Sequence, residues 1–327
     1  MDAAPLVRVV RSGVEESIHL GHVAVCDADG RLVASAGDPG REVFLRSCAK
    51  PFQAAVSLSA IDRELPDDVV AVMCASHNGE PVHVRTVRKV LRLAGLDESA
   101  LRTPPGLPLD DLAARRARGP SPLLHNCSGK HAGMLLASGT AGWPTETYRR
   151  PTHPLQRRVT STIRAVTDHD PTVGVDGCGV PVHAMPLAAI ATAYARLAAP
   201  ERFGTLTSHV ARVTDAMRKA PYLVGGRDRL DTGLMEATDH LVAKEGAEAL
   251  VCAVDLRAGL GIAVRVADGG ERAVAPSLVA VLEQLGVVTA KQRRALRALA
   301  APQVLGGGRP VGTVEAVVHL GGRSGSR

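Results

Sequence analysis

The chain has 327 residues, 45% of them hydrophobic, and a formal net charge of +6. That length fits one large domain or two small ones, and without an apolar run of about 18 residues no membrane-spanning helix is expected. Aromatic residues make up only 2% of the chain and are not interleaved with the arginine clusters at 115–118 and 293–297, which argues against a nucleic-acid surface. The opening stretch MDAAPLVRVVRSGVEES has no apolar segment of the kind a secretory leader needs, so a cytoplasmic location is expected. The cysteines at 26, 48, 74, 127, 178 and 252 are widely spread; in a reducing compartment they are thiols, buried fillers or metal ligands rather than disulfides.

In chain order, the N-terminal segment reads as strands. HVAVCDADGRLVASAGD alternates on either side of Asp27-Ala28-Asp29-Gly30, a hairpin signal. SCAKPFQAAVSLSAI reads as a helix with Ser47 near its start and Pro51 tolerated in the first turn. PDDVVAVMCASHNGE is an apolar run that breaks at His77-Asn78-Gly79. PVHVRTVRKVLRLAGL is amphipathic. The Pro-rich stretch from Leu101 to Asn126 reads mostly as loop. Helices follow at KHAGMLLASGTAG, THPLQRRVTSTIRAVT, VHAMPLAAIATAYARLA and SHVARVTDAMRKA. Strands return in EALVCAVDLRAGLGIAVRVADGG, then the helices APSLVAVLEQLGVV and AKQRRALRALA, and a last apolar run at GTVEAVVHL. Strands at both ends with helices between predict an α/β fold whose sheet is built from both termini around a helical middle. One domain over residues 1–327 is expected, with a flexible tail at 322–327.

The chain carries 39 basic residues, of which only six are lysine: 50, 89, 130, 219, 244 and 291. Arginine stays charged in proteins, whereas lysine can lose its proton and act as a base or ligand. Lys50, Lys130 and Lys244 sit among Gly, Ser, Cys and His; the other three sit beside arginines in helix-like stretches and read as solvated surface. Ser47-Cys48-Ala49-Lys50 is an S-x-x-K pattern, in which a lysine one helical turn on can take the serine proton. Ser76-His77-Asn78 is S-x-N, and Lys244-Glu245-Gly246 is K-x-G just before a probable strand. Singly these patterns arise by chance. In this order they are the signature of serine β-lactamases and penicillin-binding proteins, although the spacing of 29 residues from Ser47 to Ser76 is short for that group. The chemistry suits amide or ester cleavage: Ser47 as nucleophile, Lys50 as base, Ser76 and Lys244 as a second Ser–Lys pair that relays protons. HNCSGKHAGM and VDGCGVP bring two thiols, Cys127 and Cys178, together with Lys130, His131 and Asp176. Such a set can bind zinc with an open coordination position; equally, the thiols can be buried filler beside a satisfied histidine.

RSCAKPFQA, CASHNGEP, HNCSGKHAGM, VDGCGVP, GGRDRLDTGLM, AKEGAEALV and GLGIAVRV together resemble the L-asparaginase II family of the Rhizobium etli type, the class 3 asparaginases, from about Val14 to about residue 270. The resemblance implies a serine-β-lactamase- and glutaminase-like α/β fold, hydrolysis of L-asparagine to L-aspartate and ammonia, and a homodimer. It implies two Ser–Lys tandems, Ser47 with Lys50 and Ser76 with Lys244. It also implies zinc held by Cys127, Lys130, Cys178 and water, with Asp176 adjacent; a lysine ligand must be neutral, which a divalent cation can enforce. Arg46 and His131 lie within the matching motifs and are expected to contact substrate or to order the site. Ala249 departs from the family, which often has glycine there, and only a minor backbone effect is expected. The rival readings are a β-lactamase or penicillin-binding hydrolase and a non-catalytic zinc- or amino-acid-binding protein.

Overall fold

The computed structural model describes residues 2–322. Strands open the chain: β1 (Ala4–Arg11), β2 (Val14–Cys26), β3 (Leu32–Ala36) and the short β4 (Glu42–Phe44). The β2–β3 turn forms as its residues dictate, with the Asp27 carboxylate accepting from the amides of Asp29 and Arg31 and Gly30 at positive φ,. The middle contains α1 (Lys50–Leu58), α2 (Asp67–Met73), α3 (Pro81–Leu93), α4 (Asp111–Arg116), α5 (Ser128–Thr140), α6 (Pro154–Thr167), β5 (Thr172–Val175), β6 (Pro181–Pro186), α7 (Leu187–Ala195), α8 (Thr207–Lys219), α9 (Pro221–Val224) and α10 (Leu230–Ala237). The chain returns to β7 (Leu241–Gly246), β8 (Leu250–Asp255), β9 (Leu260–Val266), α11 (Val274–Gln284), α12 (Ala290–Ala295), α13 (Arg297–Ala300), β10 (Gln303–Gly306), β11 (Arg309–Ala316) and β12 (Gly321–Gly322). No helix among the described residues is long and apolar enough to cross a membrane.

The α/β expectation holds, with the sheet drawn from both chain ends around a helical middle. Four local expectations change. VHAMPLAAIATAYARLA is not one helix: residues 182–186 belong to strand β6, and the helix starts only at Leu187, directly after Pro186; the valine and histidine that open the stretch pair with β5, a choice that apolar content alone does not make. Lys244 precedes the expected strand, which forms as β8, but itself lies inside a further strand, β7. The Pro-rich loop holds a short helix, α4, capped by the Asp110 side chain on the Ala113 amide,. Of the expected tail, Gly322, with Gly321 before it, pairs with β3, and residues 323–327 lie outside the described residues.

Two compact units emerge, one of residues up to Cys48, Met185–Ala199 and those from Gly233 onward, the other of Ala49–Ala184 and Pro200–Thr232. In the first, an antiparallel sheet runs β10-β11-β1-β2-β9-β8-β7, with β3 on β2 and β12 on β3. Helix α7 packs on β9, β2 and β8. It comes so close that a Cβ on Gly261 would lie 1.9 Å from the Ala191 carbonyl oxygen, so only glycine fits. Residues of the opposite parity, Ile262, Val264, Val251 and Ala253, are fully buried as well, and α11 packs on β11, β9, β1 and β8. In the second unit α1 packs against α5, α6 and α8, and α2 against α3, α5 and α8. Gly129 and Gly133 of α5 leave room for the Val72 carbonyl and the Met73 side chain.

Candidate active site

Ser47 does not sit on an α-helix. It lies on a 3-10 turn, Arg46–Ala49, and α1 begins at Lys50 with Pro51 in its first turn. Arg46, immediately before the serine, adopts φ 47°, a left-handed conformation that costs a side-chain-bearing residue of order 1 kcal/mol and collects at functional turns. Within the first unit this turn is tied down from two sides. Tyr194 of α7 donates its hydroxyl to the Cys48 carbonyl at 2.8 Å, and the Cys48 thiol donates to the Lys244 carbonyl at 3.0 Å. Lys244 is fully buried, and its ammonium donates to the Glu245 carbonyl at 3.0 Å. Strand alternation sends the Glu245 side chain to the other face of β7.

Lys50, Ser76, Cys127, Lys130, His131, Asp176 and Cys178 all belong to the second unit. Lys50 is buried, at 1% exposure. Its Nζ donates to the Ala75 carbonyl at 2.6 Å and to Ser76 Oγ at 2.7 Å. The resemblance pairs Lys50 with Ser47 and Ser76 with Lys244; the structure adds a direct Lys50–Ser76 link. The Ser76–Asn78 segment is fastened by backbone bonds from Ser76 to Val224 and from Asn78 to Gly225, while Arg229 donates to the Ser76 carbonyl and to Asn78 Oδ1. His77 has one tautomer compatible with its neighbours. Nδ1 accepts from the Gly79 amide, and Ser128, which gives its proton to the Leu123 carbonyl, receives one from Nε2. Burial, and then the nearby His83 and Lys50, hold this imidazole well below its ordinary pKa, so it is neutral.

Cys127, Lys130 and Cys178 do come together. Lys130 Nζ stands 3.0 Å from Cys178 Sγ, which stands 3.2 Å from Asp176 Oδ2. The Cys178 thiol hydrogen-bonds to Cys127 and pushes the Cys127 pKa well below that of an ordinary thiol; the same bond raises Cys178. Burial works against charge on Lys130, but Cys178, Cys127 and Asp176 outweigh it and hold the pKa above normal. His131 is neutral: burial lowers it to about 4. Tyr148 accepts from the Arg102 amide and so gives its own proton to His131 Nδ1 at 2.7 Å. His131 Nε2 is buried without a partner in hydrogen-bond geometry. Two thiols and an amine are a donor set that suits zinc, but no group of three His, Cys, Asp or Glu side chains among the described residues is placed to hold a metal. The set therefore fits zinc only with Lys130 as the third ligand. Tyr194, Tyr148 and Arg229 escape sequence reading; the one available signal is that tyrosine occurs only three times in the chain.

No curated protein matches the chain. Among solved structures it is similar to a β-lactamase from Mycobacterium bovis, at 16% identity and a TM-score of 0.43 over 81% of this chain and 94% of that one. It is also similar to a mutant simvastatin synthase from Aspergillus terreus, at 12% identity and a TM-score of 0.38 over 81% of this chain and 93% of that one. The family comparison reaches further toward both ends than the motifs do: residues 7–316 match the model described as L-asparaginase II, and the chain belongs to that family.

Proposed function

We propose that the protein hydrolyses L-asparagine to L-aspartate and ammonia, with Ser47 as nucleophile and Lys50 as its base. The observation that carries the reading is Lys50, a buried lysine three residues after a serine on a strained turn, whose Nζ is already engaged by Ala75 and Ser76. A neutral amine has two N–H groups and one lone pair. Its N–H groups suit the Ala75 and Ser76 oxygens, and its lone pair takes the Ser47 proton. The serine oxygen attacks the side-chain carboxamide carbon, and the proton passes to the departing nitrogen, which leaves as ammonia. Water, deprotonated by the same amine, then attacks the aspartyl ester carbon, and the proton returns to the Ser47 oxygen as the C–O bond breaks and L-aspartate is released. Lys244 and its pairing with Ser76 enter through the family resemblance. Cys127, Lys130 and Cys178 would hold the zinc that the resemblance implies; a divalent cation there would supply positive charge that polarises a carbonyl oxygen.

The test is ammonia release from L-asparagine, with L-glutamine alongside, by the wild type and by Ser47→Ala. Asparagine turnover that falls more than about a hundredfold in the variant is expected; a variant that keeps about a tenth of the rate overturns the nucleophile. Metal content by elemental analysis, before and after chelation, should show about one zinc per chain if the Cys127–Lys130–Cys178 site is real.

A further inference from the structure

The first unit contains a cavity of about 380 Å³, within the range of small-molecule pockets, and strand register says where it lies. Cross-strand pairing sets Gly246, Leu250, Arg265 and His22 side by side across β7, β8, β9 and β2. The next row is Lys244, Cys252, Ala263 and Ala24. Rows two residues apart share a face and are separated by about 6.6 Å, so Arg265 projects from the same sheet face as Lys244. The nucleophile turn rests on that floor, since a Cβ on Gly246 would lie 3.1 Å from Cys48 Sγ and 3.5 Å from the Arg46 Cβ.

Arg41, Arg46 and Arg265 line the cavity, and Asp38, Glu42 and Glu248 line it with them. Arg265 Nη1 is buried and has no hydrogen-bond partner, and a buried donor left unmet costs about 1–3 kcal/mol. Burial, with Arg46 and Arg41 nearby, presses the Arg265 pKa down, while Glu248 and Asp268 act in the opposite sense. Guanidinium groups gathered beside carboxylates match the two charges of a zwitterion.

We propose that this cavity recognises the backbone of a free amino acid: Arg265, with Arg41 and Arg46, takes the α-carboxylate, and the acidic rim takes the α-ammonium. The choice of L-asparagine as that amino acid rests on the proposed activity; the charge recognition does not. Arg265 is thus a specificity residue, selecting free asparagine over amides that lack an α-carboxylate.

The experiment compares the wild type with Arg265→Gln and Arg41→Gln in the full chain. It measures L-aspartate binding by calorimetry, and steady-state kinetics on L-asparagine and on 3-aminopropanamide, its analogue without the α-carboxylate. Losing a charge-assisted hydrogen bond should raise KM for asparagine about 10- to 100-fold in R265Q with kcat little changed. The wild-type preference for asparagine over the analogue should shrink by the same factor, and L-aspartate binding should weaken in parallel. Arg41 is exposed, so R41Q keeps the test open should R265Q fail to fold; its L-aspartate affinity should drop severalfold. Asparagine turnover in the wild type with unchanged KM and L-aspartate affinity in both variants overturns the cavity and leaves the asparaginase. L-aspartate binding that depends on these arginines, without turnover, supports the cavity and removes the asparaginase. A wild type that neither binds L-aspartate nor turns over asparagine overturns both.

Discussion

At the scale of single residues, backbone conformation separates positions that look alike in sequence. Arg46, Glu248 and Ala249 all adopt positive φ, at 47°, 63° and 53°. Ala249 stands where the family often has glycine, and its departure is more than a minor backbone effect: a buried alanine is held in a region that costs an L-residue about 1–2 kcal/mol,. Ala249→Gly relieves that strain but adds roughly 0.5–1 kcal/mol of chain entropy on unfolding. The net expectation is a gain of about 0.5–1 kcal/mol in chemical denaturation, and a variant less stable than the wild type would show that the turn is not strained. None of this is legible from composition, because φ at residue 249 is imposed by the β7–β8 connection rather than by alanine itself. Lys50 is legible: lysine is rare here, and its place after Ser47 singles it out.

At the scale of elements, the close approach of α7 to the sheet is the tightest packing constraint. Gly261→Ala would drive a methyl group into the Ala191 carbonyl, so the helix must lift from β9 at a cost of about 3 kcal/mol or more; denaturant midpoints that barely move would contradict that packing. Strand β6 carries His183, at 1% exposure, with Nε2 on Thr160 Oγ1 at 2.9 Å. Burial lowers its pKa from 6.5 to about 4. The unfolded chain therefore binds this proton more readily than the folded one between these values. Stability from the neutral ring is complete above about pH 6.5 and is lost as pH falls toward about 4,. His183→Gln should lose stability less steeply over that window when denaturant midpoints are followed against pH, and an identical slope would remove His183 as the cause. Sequence reading places this histidine on a helix because the apolar run that follows it, from Leu187, has helical content; the pairing with β5 that makes Pro181–Pro186 a strand comes from residues before it.

At the scale of the whole molecule, all six cysteines are buried thiols, none of them in a disulfide. A thiol reagent should therefore find almost none accessible in the native protein and all of them after denaturation; fast labelling of several thiols without denaturant would show the interior to be open. Alternation, capping and turn chemistry are local, and they determined the α/β class, many of the helices and strands though not β6 or β7, and the candidate residues for chemistry: Ser47, Lys50, Lys130, Lys244 and the two cysteines of HNCSGKHAGM and VDGCGVP. Register is not local. β1 pairs with β11, Val7 against Ala316, and His22 faces Arg265 across most of the chain. A slip of one residue would send Arg265 and Lys244 to the opposite face. Which side chains meet, Lys50 with Ser76, Tyr194 with Cys48 and the arginines around one cavity, was decided only by tertiary structure, because those contacts join segments whose proximity no short stretch of chain encodes.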